Sequence, residues 1–373
     1  MAAEVVRIAG KQGDLDQIQR AALLVNDGGL VVFPTETVYG IACAVARAPL
    51  ARLDGIKGRS ADKHYTLHIG QIDEYRKYVP RVGAKGEKLI RRAWPGPLTL
   101  VLRLSEADAR EYGRRLGPVA AETLYKNSSI GIRCPDHPTA SLLLRQIDAP
   151  VVAPSANRAG EEPPGSAEQA LASVGEDVDM LLDAGPCRHR KSSTVATVDR
   201  HGVNILREGI YSKADLENMT EVTFLFLCTG NTCRSPMAEG LFRKYIAEKL
   251  ECGIDEVERF GYKVLSAGMM DMAGMPASAE AIRACEAKGV DLTGHASQTL
   301  TRTLIDTSDY IFGMTQGHCE QVRFVAPEAE SKCHLLAGDR EIPDPIGQPQ
   351  EYFNRCAGAI EVAVKARIGE LVT

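Results

Sequence analysis

Residues 228–240 read CTGNTCRSPMAEG. The stretch follows an apolar run, VTFLFL at 222–227, that reads as a buried strand, and leads into a helix expected over 236–250. Cys228 and Cys233 enclose the turn formers Thr229, Gly230 and Asn231, and then Thr232. A zinc site needs four ligands, and no second pair lies near enough to complete one. A loop between strand and helix can instead turn successive backbone N–H groups inward and form an anion nest. The helix behind it adds the positive end of its dipole. Cys228 would stand at the centre of that nest, where a thiolate is favoured. Arg234 can close the ring with a two-pronged grip on phosphate oxygens. Ser235 can donate its hydroxyl to the thiolate, Asn231 suits a left-handed turn position, and Pro236 in the first helical turn needs no N–H partner. The pattern predicts a nucleophile in a phosphate-binding loop.

The segments downstream supply its setting. KVLSAG (263–268), YIFGM (310–314) and CHLLA (333–337) read as further strands, with helical stretches at 278–288, 316–325 and 351–371. Four strands alternating with helices predict a doubly wound, four-stranded parallel sheet that binds its ligand at the carboxyl ends of the strands. On CTGNTCRSP and this setting, residues 222–373 resemble the low-molecular-weight protein phosphatase family. The resemblance implies a general acid in an Asp-Pro motif, here Asp344 within IPDPIG (342–347). It implies that Cys228 attacks phosphorus, that Arg234 and the loop amides hold the equatorial oxygens, and that no metal or other cofactor takes part. Thr232, just before the second cysteine, resembles the protein-arginine phosphatase branch, where this threonine is the selecting residue. A protein-tyrosine phosphatase is the alternative. Arsenate reduction, a third activity of the fold, needs two further close cysteines; the candidates Cys319 and Cys333 are far apart in sequence. Cys285 and Cys356 read as helix-packing thiols.

The first half carries a different set of motifs. Asp14 is expected to cap a helix bearing Leu15, Ile18, Ala22 and Val25, which Gly28-Gly29 ends. LVVFP (30–34), LTLVLR (98–103), SSIGIR (128–133) and VVAPS (151–155) read as strands, and 138–147 as a helix. The mixture predicts an α/β domain with a mixed twisted sheet. FPTETVYG (33–40), KGRS (57–60), DKHYTLH (62–68), SSIGIRCPDHP (128–138), APSANRAG (153–160) and SSTVATVD (192–199) together resemble the threonylcarbamoyl-adenylate synthase family, with its YrdC-like domain, over about residues 8–211. That family joins L-threonine, bicarbonate and ATP, taken with Mg2+, and releases pyrophosphate; its product serves tRNA modification. The resemblance assigns Lys57, Arg59, Ser129, Ser155, Asn157 and Arg207 to ATP. It assigns Thr35, His68, Arg133 and Ser193 to threonine. A nucleotide- or RNA-binding module without turnover is the alternative. The basic run RHRK (188–191) reads as a solvated loop.

The domain boundaries expected are 1–212 and 222–373, with 213–221 as a linker. A net charge of −5 and a pI near 6.0 exclude broad attraction to nucleic acid, though not a local basic pocket. Ten scattered cysteines without a secretory pattern at the start predict reduced thiols in the cytoplasm. No run of about 18 apolar residues exists, so no membrane span is expected. The reading is a bifunctional enzyme: an adenylate-forming synthase joined to a cysteine-based phosphatase acting on phosphorylated protein.

Overall fold

A computed structural model describes residues 2–11, 13–58 and 65–373. The chain divides into two compact units. The first comprises Met1–Val82, Leu89–Val198 and Val203–Met219, and the second Gly83–Lys88, Asp199–Gly202 and Thr220–Thr373. Within residues 213–221, expected as a linker, Lys213–Thr220 form a helix, and the division between the units falls at its end, between Met219 and Thr220. Its start is capped reciprocally: Ser212 Oγ accepts from the Asp215 amide at 3.2 Å, and Asp215 Oδ2 from the Ser212 amide at 2.9 Å. Leu216 is buried in the first unit's core. No described helix is long and apolar enough to cross a membrane.

Among the described residues the first unit is built on ten strands: β1 (Glu4–Arg7), β2 (Val31–Phe33), β3 (Gly40–Ala44), β4 (Thr66–His68), β5 (Leu98–Arg103), β6 (Ser129–Arg133), β7 (Val151–Val152), β8 (Met180–Asp183), β9 (Thr194–Asp199) and β10 (Gly202–Arg207). Their spatial order is β1-β8-β2-β3-β7-β4-β6-β5-β9-β10, a mixed sheet as expected. The strand expected over 151–155 shrinks to Val151–Val152, because Pro154 has no amide to give to the ladder. Asp14 is not the cap of the helix Asp14–Asn26. Its carboxylate accepts from the amides of Ala9 and Lys11 at 2.8 Å each and ties down the preceding loop.

Register fixes what the central strands present. β4 pairs parallel with β6, and β5 pairs antiparallel with it, so His68 and Thr99 flank Arg133. Their neighbours Leu67, Leu100 and Ile132 point the other way, into the core. Side chains alternate along a strand, so an apolar layer on one face carries a polar layer on the other.

The second unit holds β11 (Val222–Cys228), β12 (Tyr262–Gly268), β13 (Tyr310–Gly313) and β14 (Cys333–Leu335), all parallel, in the order β12-β11-β13-β14. Both faces of β11 are covered. Phe224 and Phe226 pack on Phe242 of the helix Arg234–Leu250, with ring centroids 4.7 and 5.1 Å away. Leu225 and Leu227 join Ile311, Cys319 and Cys333 on the opposite face. Cys319 and Cys333 are thus core residues, on the helix Gln316–Val325 and on β14, and Cys285 and Cys356 are buried in the other core layer.

β11 is central, and its neighbours lie on opposite sides, so the strand order reverses beside it. The loop after Cys228 opens at that reversal point, where doubly wound sheets leave a crevice. The end of β12 closes one side. A Cβ on Gly268 would stand 2.9 Å from the Gly230 carbonyl carbon and 3.0 Å from the Asn231 nitrogen. We therefore expect Gly268→Ala to push the loop outward and cost about 1–3 kcal/mol of the second unit's stability. Urea denaturation followed by the near-ultraviolet signal of this unit checks it; an unchanged midpoint would refute the steric account.

Candidate active sites

In the second unit the loop Thr229–Cys233 turns on Asn231, whose φ of 54° is left-handed as its residue type predicts. Its side chain is bonded at both ends. Nδ2 donates to Ser235 Oγ at 2.9 Å and to Ser266 Oγ at 2.8 Å, and Oδ1 accepts from the Gln298 amide at 2.8 Å. His295 Nε2 donates to the Asn231 carbonyl at 2.7 Å. Ser266 in turn donates to Glu239 Oε2 at 2.6 Å. The backbone amides of Gly230, Asn231, Thr232 and Cys233 have no acceptor among the described residues. That is the geometry of an anion nest.

The expected reactive groups converge on it. Cys228 Sγ lies 3.0 Å from Ser235 Oγ. Asn231 donates to that oxygen, and the serine hydrogen faces the Cys228 sulfur at 3.0 Å and, at the longer distance of 3.5 Å, the Ala267 carbonyl. Arg234 is 3% exposed. Its Nη1 donates to the Ile342 carbonyl at 3.2 Å, its Nη2 to Thr229 Oγ1 at 3.3 Å, and it is paired with Asp344. Its buried Nε has no partner among the described residues. An unpaired buried guanidinium nitrogen costs free energy unless an acceptor arrives, and here the acceptor would be an anion in the nest. Asp344 Oδ1 also accepts from the Ile346 amide at 3.2 Å, which holds its carboxylate over the loop. Cys233 Sγ donates to Ser278 Oγ at 3.4 Å, and burial pushes its thiol up from the usual range. Thr232 is half-buried at the mouth, its Oγ1 3.7 Å from Cys233 Sγ.

In the first unit a cavity of about 830 Å³ lies on the polar face of the sheet, a size that suits a nucleotide-scale ligand. Thr35, His68, Ser129, Arg133, Ser155, Ser193 and Arg207 all line it. Lys57 and Asn157 stand behind Ser155 instead. Lys57 Nζ donates to the Ser155 carbonyl at 3.0 Å and to Asn157 Oδ1 at 3.2 Å. Asn157 Nδ2 is taken up by the carbonyls of Arg158 and Glu161, at 2.9 and 2.7 Å. Arg59 lies outside the described residues.

The electrostatics of this cavity favour an anion. Arg133 is 6% exposed, and its Nη2 meets Glu36 Oε1 at 2.8 Å, Thr37 Oγ1 at 2.6 Å and Thr35 Oγ1 at 3.3 Å. Its buried Nε has no partner among the described residues. Arg207 Nη2 donates to the Ser193 carbonyl at 2.8 Å. Burial, with Arg133 nearby, pulls the Arg207 guanidinium below its usual range. The same two causes push His68 down to about 3, so its imidazole is neutral at neutral pH. His68 Nδ1 faces the Thr66 carbonyl at 3.1 Å and must carry the ring proton, which leaves Nε2 as an acceptor.

Residues 23–209 match the family model for Sua5, YciO and YrdC proteins, described as Telomere recombination. Residues 223–372 match that of the low molecular weight phosphotyrosine protein phosphatases. The threonylcarbamoyl-AMP synthase of Pyrococcus abyssi is 31% identical over 245 residues, covering 65% of this chain and 69% of that protein. The low molecular weight protein-tyrosine-phosphatase Etp of Escherichia coli is 36% identical over 144 residues, 38% of this chain and 88% of that protein. The chain belongs to both families. A solved structure of Pyrococcus abyssi Sua5 shares the fold at a TM-score of 0.51, with 24% identity over 72% of this chain and 92% of that one.

Several residues at these family sites escaped the sequence reading. Glu36 sits inside the quoted PTETVYG, but only the fold shows it 1% exposed and paired with Arg133. Ser266, His295 and Gln298 converge on Asn231 from two separate segments. His318 reaches the phosphatase-family loop from the helix after β13, and its Nε2 lies 3.3 Å from Thr229 Oγ1. Burial, and then Arg234, push His318 down to about 4.

Both histidines bind protons more weakly folded than unfolded, where the value is near 6.5. Between pH 6.5 and each folded value the unfolded chain therefore takes up more protons, and stability falls as pH falls through that window. The expected outcome is a thermal midpoint that drops from pH 7 to pH 5, and drops less in His318→Gln. Equal pH dependence in the two proteins would remove His318 from the account.

Proposed function

We propose that the chain is a bifunctional enzyme: a threonylcarbamoyl-AMP synthase followed by a cysteine-dependent protein phosphatase that acts on phosphoarginine. For the first unit, the observation that carries the reading is the anion-seeking cavity around Arg133, with its open Nε, beside neutral His68. Threonine's carboxylate would take the free edge of Arg133. Thr35, Ser193 and the acceptor nitrogen of His68 would hold its hydroxyl and amine, the latter having to lose a proton before it attacks the carbon of bicarbonate. ATP, entering as its magnesium complex, would lie along Ser129, Ser155 and Arg207, with Arg59 joining it and Lys57 and Asn157 bracing Ser155. Adenylylation of the carbamate releases pyrophosphate, and the net reaction also releases one water. The product's use in tRNA modification supports a cytoplasmic setting and contact with tRNA-modifying partners.

For the second unit, the observation is the convergence of Cys228, Arg234, Ser235 and Asp344 on a loop of unpaired amides. Cys228 would attack phosphorus and form an S–P bond as the bond to the leaving group breaks. The amides and Arg234 would hold the equatorial oxygens. Asp344 would protonate the leaving nitrogen or oxygen, then take a proton from the water that hydrolyses the cysteinyl phosphate. Two features support phosphoarginine. Thr232 is short and carries a hydroxyl at the mouth. The segment laid along the loop, with the Met269 and Met270 amides bonded to the Cys228 and Thr229 carbonyls at 3.1 and 2.9 Å, brings methionines rather than an aromatic ring. A guanidine leaves only when protonated, which suits a carboxyl group already beside Arg234. The relationship to a tyrosine phosphatase makes phosphotyrosine the competing substrate.

The first unit's reading is tested by pyrophosphate release with threonine, bicarbonate and ATP. Arg133→Ala should raise the KM for threonine about tenfold or more and leave phosphatase turnover intact. Release that does not depend on threonine would support the binding-module alternative. For the second unit, kinetics on matched phosphoarginine and phosphotyrosine peptides should show the wild type preferring phosphoarginine. Thr232→Ile should move the kcat/KM ratio toward phosphotyrosine by about tenfold, or ~1.4 kcal/mol in relative barrier. A wild-type preference for phosphotyrosine overturns the arginine reading.

A further inference from the structure

Thr229 follows the nucleophile directly, and its oxygen is the meeting point of two donors. Arg234 Nη2 donates to Thr229 Oγ1 at 3.3 Å. His318 Nε2 stands at 3.3 Å on the same atom. The direction of that second bond follows from the other side of the ring. His318 Nδ1 accepts from the Thr315 backbone amide at 3.0 Å, and an amide can only donate. The Nδ1 lone pair is therefore in use, and the ring proton sits on Nε2, pointing at Thr229. The threonine oxygen then has both lone pairs occupied. Its own hydrogen has no acceptor among the described residues. Among the described residues it is the hydrogen-bonding valence left to the Thr229 side chain, which is exposed at the loop mouth.

His318 is held to this task. It is 6% exposed and sits in the first turn of the helix Gln316–Val325, where Thr315 Oγ1 also lies 2.9 Å from Nδ1. The imidazole cannot turn over without leaving the Thr315 amide unpaired. Gly313 lets it come this close, since a Cβ there would stand 3.2 Å from His318 Cβ and 2.8 Å from Cys319 Sγ.

We propose that the Thr229 hydroxyl is a further donor to the bound phosphoryl group, and that His318 is the positioning residue that directs it there. The proposal rests on the phosphatase reading of this loop. It adds a side-chain donor to the ring of amides and to Arg234. It also gives the helix after β13 a part in phosphate binding, although it contributes no group that touches the substrate.

The probe is orthovanadate, titrated calorimetrically into the full-length chain. Thr229→Val keeps the shape and removes the hydroxyl, and should weaken vanadate about tenfold. Thr229→Ser should recover most of that loss. His318→Ala should weaken vanadate to a similar extent, and His318→Gln, whose amide N–H reaches toward the same oxygen, should recover part of it. The deciding measurement is the double variant. In the Thr229→Val background, His318→Ala should cost no further affinity, whereas a merely structural role would subtract again. Thermal midpoints measured alongside report folding separately. Wild-type affinity in Thr229→Val, or additive losses in the double variant, overturns the proposal, as does a wild type that does not bind vanadate. Hydrolysis of p-nitrophenyl phosphate tests the phosphatase reading on its own. A wild type that binds vanadate but leaves the ester intact defeats that reading, while the calorimetry still decides the hydroxyl's role.

Discussion

Arg133 and Arg234 are each almost completely buried, and each is paired with one carboxylate, Glu36 in the first unit and Asp344 in the second. Each also keeps a buried Nε without a partner among the described residues. A guanidinium taken out of water must be compensated, and breaking such a pair typically costs about 3–5 kcal/mol. The carboxylate makes burial tolerable, and the open nitrogen makes the arrangement incomplete. Both sites therefore depend on a cation neutralised along one edge and available along the other. On the proposed function, a carboxylate ligand or a phosphoryl group would supply what is missing. The two carboxylates differ in setting. Glu36 is 1% exposed and also accepts from the Asp136 amide, which makes it a fixed support. The Asp344 side chain is 38% exposed on a proline-flanked loop, so water or a ligand can reach it.

The two folds hold these arginines by different means. In the first unit Arg133 ends a central strand, and register places His68 and Thr99 beside it on a sheet face whose opposite side is apolar core. Precision there comes from the ladder. In the second unit Arg234 is the first residue of a helix, and its position depends on the turn before it. That turn is fixed by Asn231, bonded to four residues on three segments through its side chain and carbonyl. A left-handed non-glycine residue is costly unless its surroundings over-determine it, and this network does so. It also orients Ser235, whose oxygen accepts from Asn231 and whose hydrogen can reach the Cys228 sulfur at 3.0 Å or the Ala267 carbonyl at 3.5 Å. The same logic recurs at Thr229, where two incoming N–H groups leave only the hydroxyl hydrogen. Hydrogen-bond direction, set from outside the loop, governs what the loop offers to an anion.

Much of this was legible in the sequence, for reasons of chemistry and period. The strand preceding Cys228, the helix following it, the left-handed Asn231 and the parallel order of the second unit follow from apolar runs, turn residues and strand–helix alternation. Local stereochemistry acts over a few residues and needs no tertiary contact. Motif spacing also brought Cys228, Arg234 and Ser235 together, since one turn and one helical start separate them. Seven residues assigned to the first site do line one cavity, because most of them end strands of the same sheet.

What only the tertiary structure decided is which distant groups complete these local devices. His318, His295, Ser266 and Glu36 carry no signal of their own, because a histidine, serine or glutamate at a given position is compatible with surface, core or site. Asn157 and Lys57 belong to a motif, yet they brace one another and the Ser155 carbonyl, a distinction that depends on side-chain direction. Gly268 looks like an ordinary strand end until the loop from another segment is laid against it. The stretch 213–221 has the composition of a linker, and its folding into a helix rests on the burial of Leu216 as well as on its Ser-Asp cap. The sequence by itself determined the elements and the reactive groups, since these depend on neighbours along the chain. The closure of hydrogen-bond networks, the open edges of two buried arginines and the direction of individual protons depend on neighbours in space, and the fold alone supplied them.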